Sequence, residues 1–208
     1  MLNGYSLNFS TMKPKVIVYS DNVCPFCTIG YRRLEKLKEE MEFEVEWMPF
    51  ELHPEVPETG MSMDEYFQGA GEELVESVLN YGKDVDIEIN TRSLYNSRNS
   101  LKANEYAKKE GKFDDFHEAI FKAYMVDDKN IGDLESLLDV AENAGLDREK
   151  TRAFIESTEA EEIITDSKNE ALRLGINSVP SFIIGKNLIR GAYPYDTMKQ
   201  FFTKALAE

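Results

Sequence analysis

Residues 15–37 read KVIVYSDNVCPFCTIGYRRLEKL. The stretch changes its period in the middle, and that change decides the fold. Lys15–Ser20 is a short β-branched and apolar run, the pattern of a buried strand. Beyond it Cys27, Tyr31, Leu34, Leu37 and Met41 recur at helical spacing, with Arg32, Arg33, Lys36 and Glu40 on the other faces. Residues 43–50 then alternate, with Phe43, Val45 and Trp47 inward and Glu44 and Glu46 outward. They predict a second strand, ended by Pro49. Strand, helix and strand over residues 15–50 predict a parallel pair with a right-handed crossover.

The junction between first strand and helix holds both cysteines of the chain, Cys24 and Cys27. Three readings of such a pair stand open: a redox dithiol, half of a zinc site, and two inert core residues. Residues three apart on a helix are neighbours, about 5–6 Å at Cβ, so the sulfurs are in reach of one another. Cys24 falls at the helix start, facing unpaired N–H groups and the positive end of the dipole, and both favour a charged sulfur. Pro25 fits the first helical position, where its missing N–H costs nothing. Cys27 falls on the apolar stripe and is shielded. Asp21, three residues before Cys24, either opposes the thiolate or serves, with Asn22, as a cap or turn residue. Zinc wants four ligands, and the chain adds only His53 and His117, without paired spacing. Placed between a strand and a helix, the pair reads as redox chemistry.

After residues 51–60, a loop with two prolines, the pattern turns helical. Residues 64–81, 93–110, 113–125, 133–143 and 147–174 carry helical periodicity, punctuated by Gly82, Gly111, Gly132 and Gly145. His117 borders the apolar stripe of Phe113, Phe116 and Ile120 and reads as a structural histidine. His53 sits among prolines and reads as solvated, and Trp47 reads as core. Strand character returns at SFII, residues 181–184, and LIR, residues 188–190, joined by a Gly-Lys-Asn turn. A last helix covers about residues 195–206. Sheet-forming ends around a helical middle imply one small mixed sheet, because an isolated strand pair is marginal.

Bulk properties bound the rest. The 208 residues carry a net charge of −15, and 42% are hydrophobic. Such an acidic chain argues against nucleic acid and anionic membranes as partners. Two cysteines are no disulfide scaffold, and the first residues lack a secretory pattern. No run of about 18 apolar residues exists to cross a membrane. The default compartment is the cytoplasm, where a CxxC is catalytic or metal-binding rather than structural. Met12 is an alternative start, with residues 1–11 a tail.

Ser20 to Cys27 (SDNVCPFC), continued by Ile29 to Leu34 (IGYRRL), resembles the start of DsbA-family thioredoxin-fold oxidoreductases, in particular their FrnE-like branch. Gly111–Tyr124 (GKFDDFHEAIFKAY) resembles that branch's helical domain, and Gly175–Gly185 (GINSVPSFIIG) its proline loop. The resemblance covers about residues 14–205. It implies an α/β thioredoxin fold made of residues 14–60 and 175–208, an all-helical insertion over 61–174, and a tail over 1–13. It also implies a cis bond before Pro180, facing the cysteines. Carried over, Cys24 is the nucleophile, Cys27 resolves, and Pro25, Phe26, Val179 and Pro180 shape the substrate platform.

The implied activity is dithiol–disulfide exchange on protein or small-thiol substrates, with no metal or organic cofactor. Glutathione is a candidate co-substrate, and glutathione or a thioredoxin-type protein the recycling partner. The same superfamily includes glutathione-dependent isomerases and kappa-type transferases, which typically carry serine at the first position where this chain keeps Cys24. A non-enzymatic, peptide-binding or chaperone-like module is the third reading. The oligomeric state is not legible.

Overall fold

A computed structural model describes residues 13–207. The expected tail therefore lies outside the described residues, apart from Lys13. Strand β1 (Lys15–Ser20), helix α1 (Pro25–Lys38) and strand β2 (Glu44–Pro49) form the expected β–α–β unit, with β1 and β2 parallel. At the other end of the chain β5 (Ser181–Ile184) and β6 (Asn187–Arg190) form a hairpin, followed by α9 (Tyr195–Leu206). β5 pairs antiparallel with β1, so the two ends complete one mixed sheet of order β2-β1-β5-β6. The middle of the chain contributes β3 (Met61–Ser62), α2 (Met63–Tyr66), α3 (Gly71–Tyr81), β4 (Ser93–Leu94) and α4 (Arg98–Lys109). It continues with α5 (Phe113–Phe121), a π-helical turn (Lys122–Val126), α6 (Leu134–Asn143), α7 (Arg148–Ile155) and α8 (Thr158–Arg173). Among the described residues no helix is long and apolar enough to cross a membrane.

Both faces of the sheet are covered, which explains why β1 is apolar from Val16 to Tyr19. Val16 and Val18 pack with Leu34 and Leu37 of α1 and Met198 and Phe202 of α9. Tyr19 faces the other way, onto Phe50, Ala171 and Ile176. There the Ser167 hydroxyl of α8 donates to the Pro49 carbonyl at 2.7 Å.

The helical middle departs from its periodicity in four places. Residues 64–81 split into α2 and α3, because Gln68 and Gly69 adopt positive φ of 54° and 92°. Residues 147–174 split at Ser157, whose hydroxyl caps α8 by accepting from the Ala160 amide at 3.1 Å. Residues 93 and 94 are not helical but pair with 61 and 62 as a two-residue ribbon, too short to leave a sequence pattern. Residues 122–126 widen into a π turn, and the Met125 carbonyl accepts from the amides of Asn90 and Thr91.

Helix α1 also buries more than its predicted stripe. Cys27, Tyr31, Leu34 and Leu37 face the sheet core, while Ile29 packs into the helical core. Arg33, expected on a polar face, is 1% exposed. Its Nε donates to Asp84 Oδ2 at 2.9 Å, and a second nitrogen donates to Asp84 Oδ1. The guanidinium also donates to the carbonyls of Tyr81 (2.8 Å), Ala192 (2.6 Å) and Tyr193 (2.9 Å). All its donors are thereby used. The loop after α3 and the loop after β6 are both tied to α1 through this one side chain.

His117 is fully buried in an aromatic cage of Tyr31, Trp47, Phe113 and Phe121, and neither ring nitrogen has a hydrogen-bond partner among the described residues. Burial holds its pKa down to about 3, from the ordinary 6.5.

Two outcomes follow from these buried groups. Arg33→Ala loses the fork and leaves three carbonyls and part of Asp84 unpaired. Its folding free energy, read from denaturant melts, falls by about 3 kcal/mol, and Arg33→Lys does not restore it because an ammonium cannot span the five acceptors. His117 binds a proton more readily unfolded than folded, so its contribution is complete above 6.5 and drains as pH falls toward about 3. In His117→Phe the stability-against-pH curve over that window is flatter, by up to about 1.4 kcal/mol per pH unit.

Candidate active site

The end of β1 delivers the chain into α1 through Asp21, Asn22 and Val23, and each is pinned. Asp21 is fully buried; its carboxylate accepts from the Leu52 amide at 2.6 Å and from the Val23 amide at 3.3 Å. It is a strand-end turn residue. Desolvation by burial raises its pKa above the ordinary carboxylate value. Asn22, also fully buried, donates to the Ser100 hydroxyl at 3.0 Å and accepts from the Asn104 side chain at 2.9 Å. The turn before the cysteines is thus anchored to the loop after β2 on one side and to α4 on the other.

Cys24 is the N-cap of α1 with extended backbone, and Pro25 follows at the first helical position. The Cys24 side chain makes no capping hydrogen bond to the helix amides. Its thiol donates instead to the Val179 carbonyl at 3.6 Å. Both thiols are free, and the cysteines approach to 3.5 Å. Their environments differ. Cys27 is 1% exposed, Cys24 6%. Desolvation pushes the Cys27 thiol well above its ordinary 9.0, with a smaller contribution in the same direction from its hydrogen bond to Cys24 and from the Cys24 charge.

The bond between Val179 and Pro180 is cis, as the resemblance implied. The proline ring rests on α1 at Gly30, where a Cβ would stand 3.1 Å from Pro180 Cγ and 3.3 Å from Phe182 Cζ. A side chain there would push both rings back by a few tenths of an ångström. The structure therefore brings together Cys24, Cys27, Val179 and Pro180, from ends of the chain 155 residues apart. Phe26 stacks edge-on against Tyr81 of α3, with ring centroids 5.7 Å apart.

Two features escaped the sequence. The first is an apolar cavity beside Cys24, walled by Phe26, Leu52, Val75, Val78 and Met125 among others. No local pattern marks it, since its walls come from separate segments scattered between Val23 and Met125. The second is His53, which lines that cavity rather than lying in solvent. Its Nδ1 is 2.9 Å from the Tyr66 hydroxyl, which donates to Glu55. The Glu55 hydrogen bond raises the Tyr66 pKa to about 12. Tyr66 is 13 residues from His53, so no helical or strand spacing announced the pair.

Trp47 is core, as expected, at 7% exposure. Among the described residues no three His, Cys, Asp or Glu side chains converge in a way that holds a metal ion.

Known proteins place this arrangement. The family model of the DSBA-like thioredoxin domain matches residues 15–203. The uncharacterized protein YwbO of Bacillus subtilis (strain 168) is 31% identical over 203 residues, covering 95% of this chain and 98% of that protein. Among solved structures, a probable DsbA oxidoreductase from Streptomyces coelicolor superposes with a TM-score of 0.80 at 24% identity, over 94% of this chain and 91% of that one. The cytosolic disulfide reductase DsbM from Pseudomonas aeruginosa, solved with GSH, gives 0.71 at 16% identity, over 93% and 100%. A 2-hydroxychromene-2-carboxylate isomerase gives 0.74 at 20%, over 91% and 95%. At such identities the structural likeness speaks for the fold alone. The family match spans the whole four-stranded sheet and both cysteines, and the chain belongs to the DSBA-like thioredoxin domain family.

Proposed function

We propose that this protein is a thiol–disulfide oxidoreductase in which Cys24 is the nucleophile and Cys27 the resolving thiol. The observation that carries the reading is two free thiols 3.5 Å apart, one at a helix N-cap beside the Val179 carbonyl and the other buried beneath it. The Cys24 thiolate displaces one sulfur of a substrate disulfide. A mixed disulfide forms, and the departing thiolate takes up a proton. Cys27 then gives up its proton and attacks the Cys24 sulfur. The second substrate thiol leaves, and a Cys24–Cys27 disulfide remains. The substrate gains two electrons and two protons. A thiol reductant of the glutathione class restores the dithiol, and the same bonds made in reverse oxidise a substrate dithiol.

The unequal burial of the thiols orders these steps. Cys27 is held protonated at rest, so it does not compete for substrate. Once Cys24 is in a mixed disulfide its charge is gone, and with it part of what held the Cys27 proton. Val179 and Pro180, with Pro25 and Phe26, frame the substrate, and an extended chain paired to Val179 is the natural mode for a protein substrate. The direction of flux follows from the reduction potential, since about 30 mV is a tenfold change in equilibrium for a two-electron couple. We place the protein in the cytoplasm, on its cysteine usage and its likeness to a reductase described as cytosolic.

A second reading, a glutathione-dependent isomerase or transferase, draws on the apolar cavity beside Cys24 and on the likeness to the isomerase. The retained Cys24 favours exchange.

Cys27→Ser accumulates mixed disulfides that survive non-reducing electrophoresis, while Cys24→Ser reduces no insulin disulfide. Turnover retained in Cys24→Ser removes the proposal. Saturable glutathione binding with turnover of an electrophile, in a protein inactive on disulfides, selects the second reading. Burial raises the Cys27 pKa, so in Cys24→Ser the ultraviolet absorbance of the thiolate rises only well above pH 9.0.

A further inference from the structure

Thiol exchange by itself needs a nucleophile, a partner thiol and an edge to hold the substrate. It does not need the cavity that opens beside Cys24. That cavity holds about 260 Å³. Its walls come from the start of α1, the loop after β2, α2 and its C-terminal end, α3, the segment leading into β4, β4 itself and the π turn. Most wall side chains are buried core residues: Val75 and Met125 are 5% and 2% exposed, and Val78 is fully buried. Among the described lining residues His53 alone carries a side-chain nitrogen or oxygen, and its Nδ1 is already engaged by Tyr66.

The chemistry of the walls selects the occupant. Ordered water needs about 2–4 polar partners, and these walls do not supply them. The volume lies below the roughly 300–1,000 Å³ of pockets that hold a whole drug-sized ligand. It suits one aromatic ring or a short branched alkyl group. A polypeptide strand does not fit, and the Val179 edge on which one would pair is a separate feature of the site. Cys24 is itself a wall residue, so an occupying group lies next to the sulfur that reacts.

We propose that the cavity receives the apolar substituent of a small organic thiol or disulfide on which Cys24 acts, with the reacting sulfur carried on or beside an aromatic ring or branched alkyl group. The proposal rests on Cys24 as the nucleophile and names its substrate class. Tyr66 and Glu55 hold His53 in place, so the wall is formed before the substrate arrives.

The test uses the Cys27→Ser protein, in which Cys24 is the only cysteine. Its reaction rates with benzyl and hydroxyethyl methanethiosulfonate are measured by stopped flow, each divided by the rate with free cysteine. In this reaction the Cys24 thiolate attacks the sulfenyl sulfur, a disulfide forms and methanesulfinate leaves, so no other oxidant is needed. The normalised preference for the benzyl reagent is expected to be about tenfold, the factor that about 1.4 kcal/mol of added binding gives. Leu74→Trp, which fills the cavity from α3, brings the ratio close to unity. Val75→Phe, a smaller intrusion, does the same if the tryptophan variant fails to fold, as judged by circular dichroism.

A ratio near unity in folded Cys27→Ser protein overturns the proposal. So does a benzyl preference that persists in both folded cavity variants. The measurement needs no turnover: a benzyl preference in a protein whose parent reduces no disulfide removes the oxidoreductase reading and keeps the cavity. Turnover without the preference does the opposite.

Discussion

The guanidinium of Arg33 fixes how α1 sits, and the active site hangs from α1. Five acceptors surround it: two carboxylate oxygens of Asp84 and three backbone carbonyls. Asp84 and Tyr81 belong to the helical middle; Ala192 and Tyr193 belong to the segment that leads into the last helix. A buried cation is costly unless every donor is matched, so the contact tolerates little displacement of any partner. The planar fork sets direction as well as distance. Helix α1 thus lies between two apolar cores with its rotation set from outside both, and the rotation decides where its first turn points.

The site itself is assembled by close contacts of small groups. Gly30 lets the Pro180 ring lie against α1, which sets Val179 within reach of the Cys24 sulfur. Asp21 and Asn22 anchor the turn that ends β1 to the loop after β2 and to α4. The cysteines then differ in their place on the helix and in their surroundings. One is a wall of the apolar cavity; the other is covered by the sheet core and carries a raised pKa. Helix geometry made them neighbours, while tertiary burial made them unequal.

His117 illustrates the same division of labour in the core. A histidine with no partner for either nitrogen is an unusual resident of an aromatic cluster, and burial keeps it neutral. Its ring serves there as a flat apolar body, stacked on Phe113 with centroids 4.7 Å apart. The structure places it in the core shared by Trp47 and the cysteines' neighbour Tyr31.

The sequence by itself determined the elements whose signals are local. The change of period at residues 20–25 marked β1 and α1, alternation marked β2, and the Gly-Lys-Asn turn marked the final hairpin. The CPFC and VPSF segments together pointed to thiol chemistry and to the family. Tertiary structure decided what depends on residues that no spacing connects. Arg33 reads as a surface residue because its five acceptors are distant in sequence. His53 reads as solvated because Tyr66 and the cavity reach it only through the fold. The cavity is a space rather than a residue, and its walls leave no joint pattern. The breaks at Gln68–Gly69 and Ser157 escaped because a positive φ and a side-chain cap interrupt a helix without disturbing its apolar period. Local periodicity reports which face of an element is buried; what that face is buried against, and at what depth, is settled only when the elements pack.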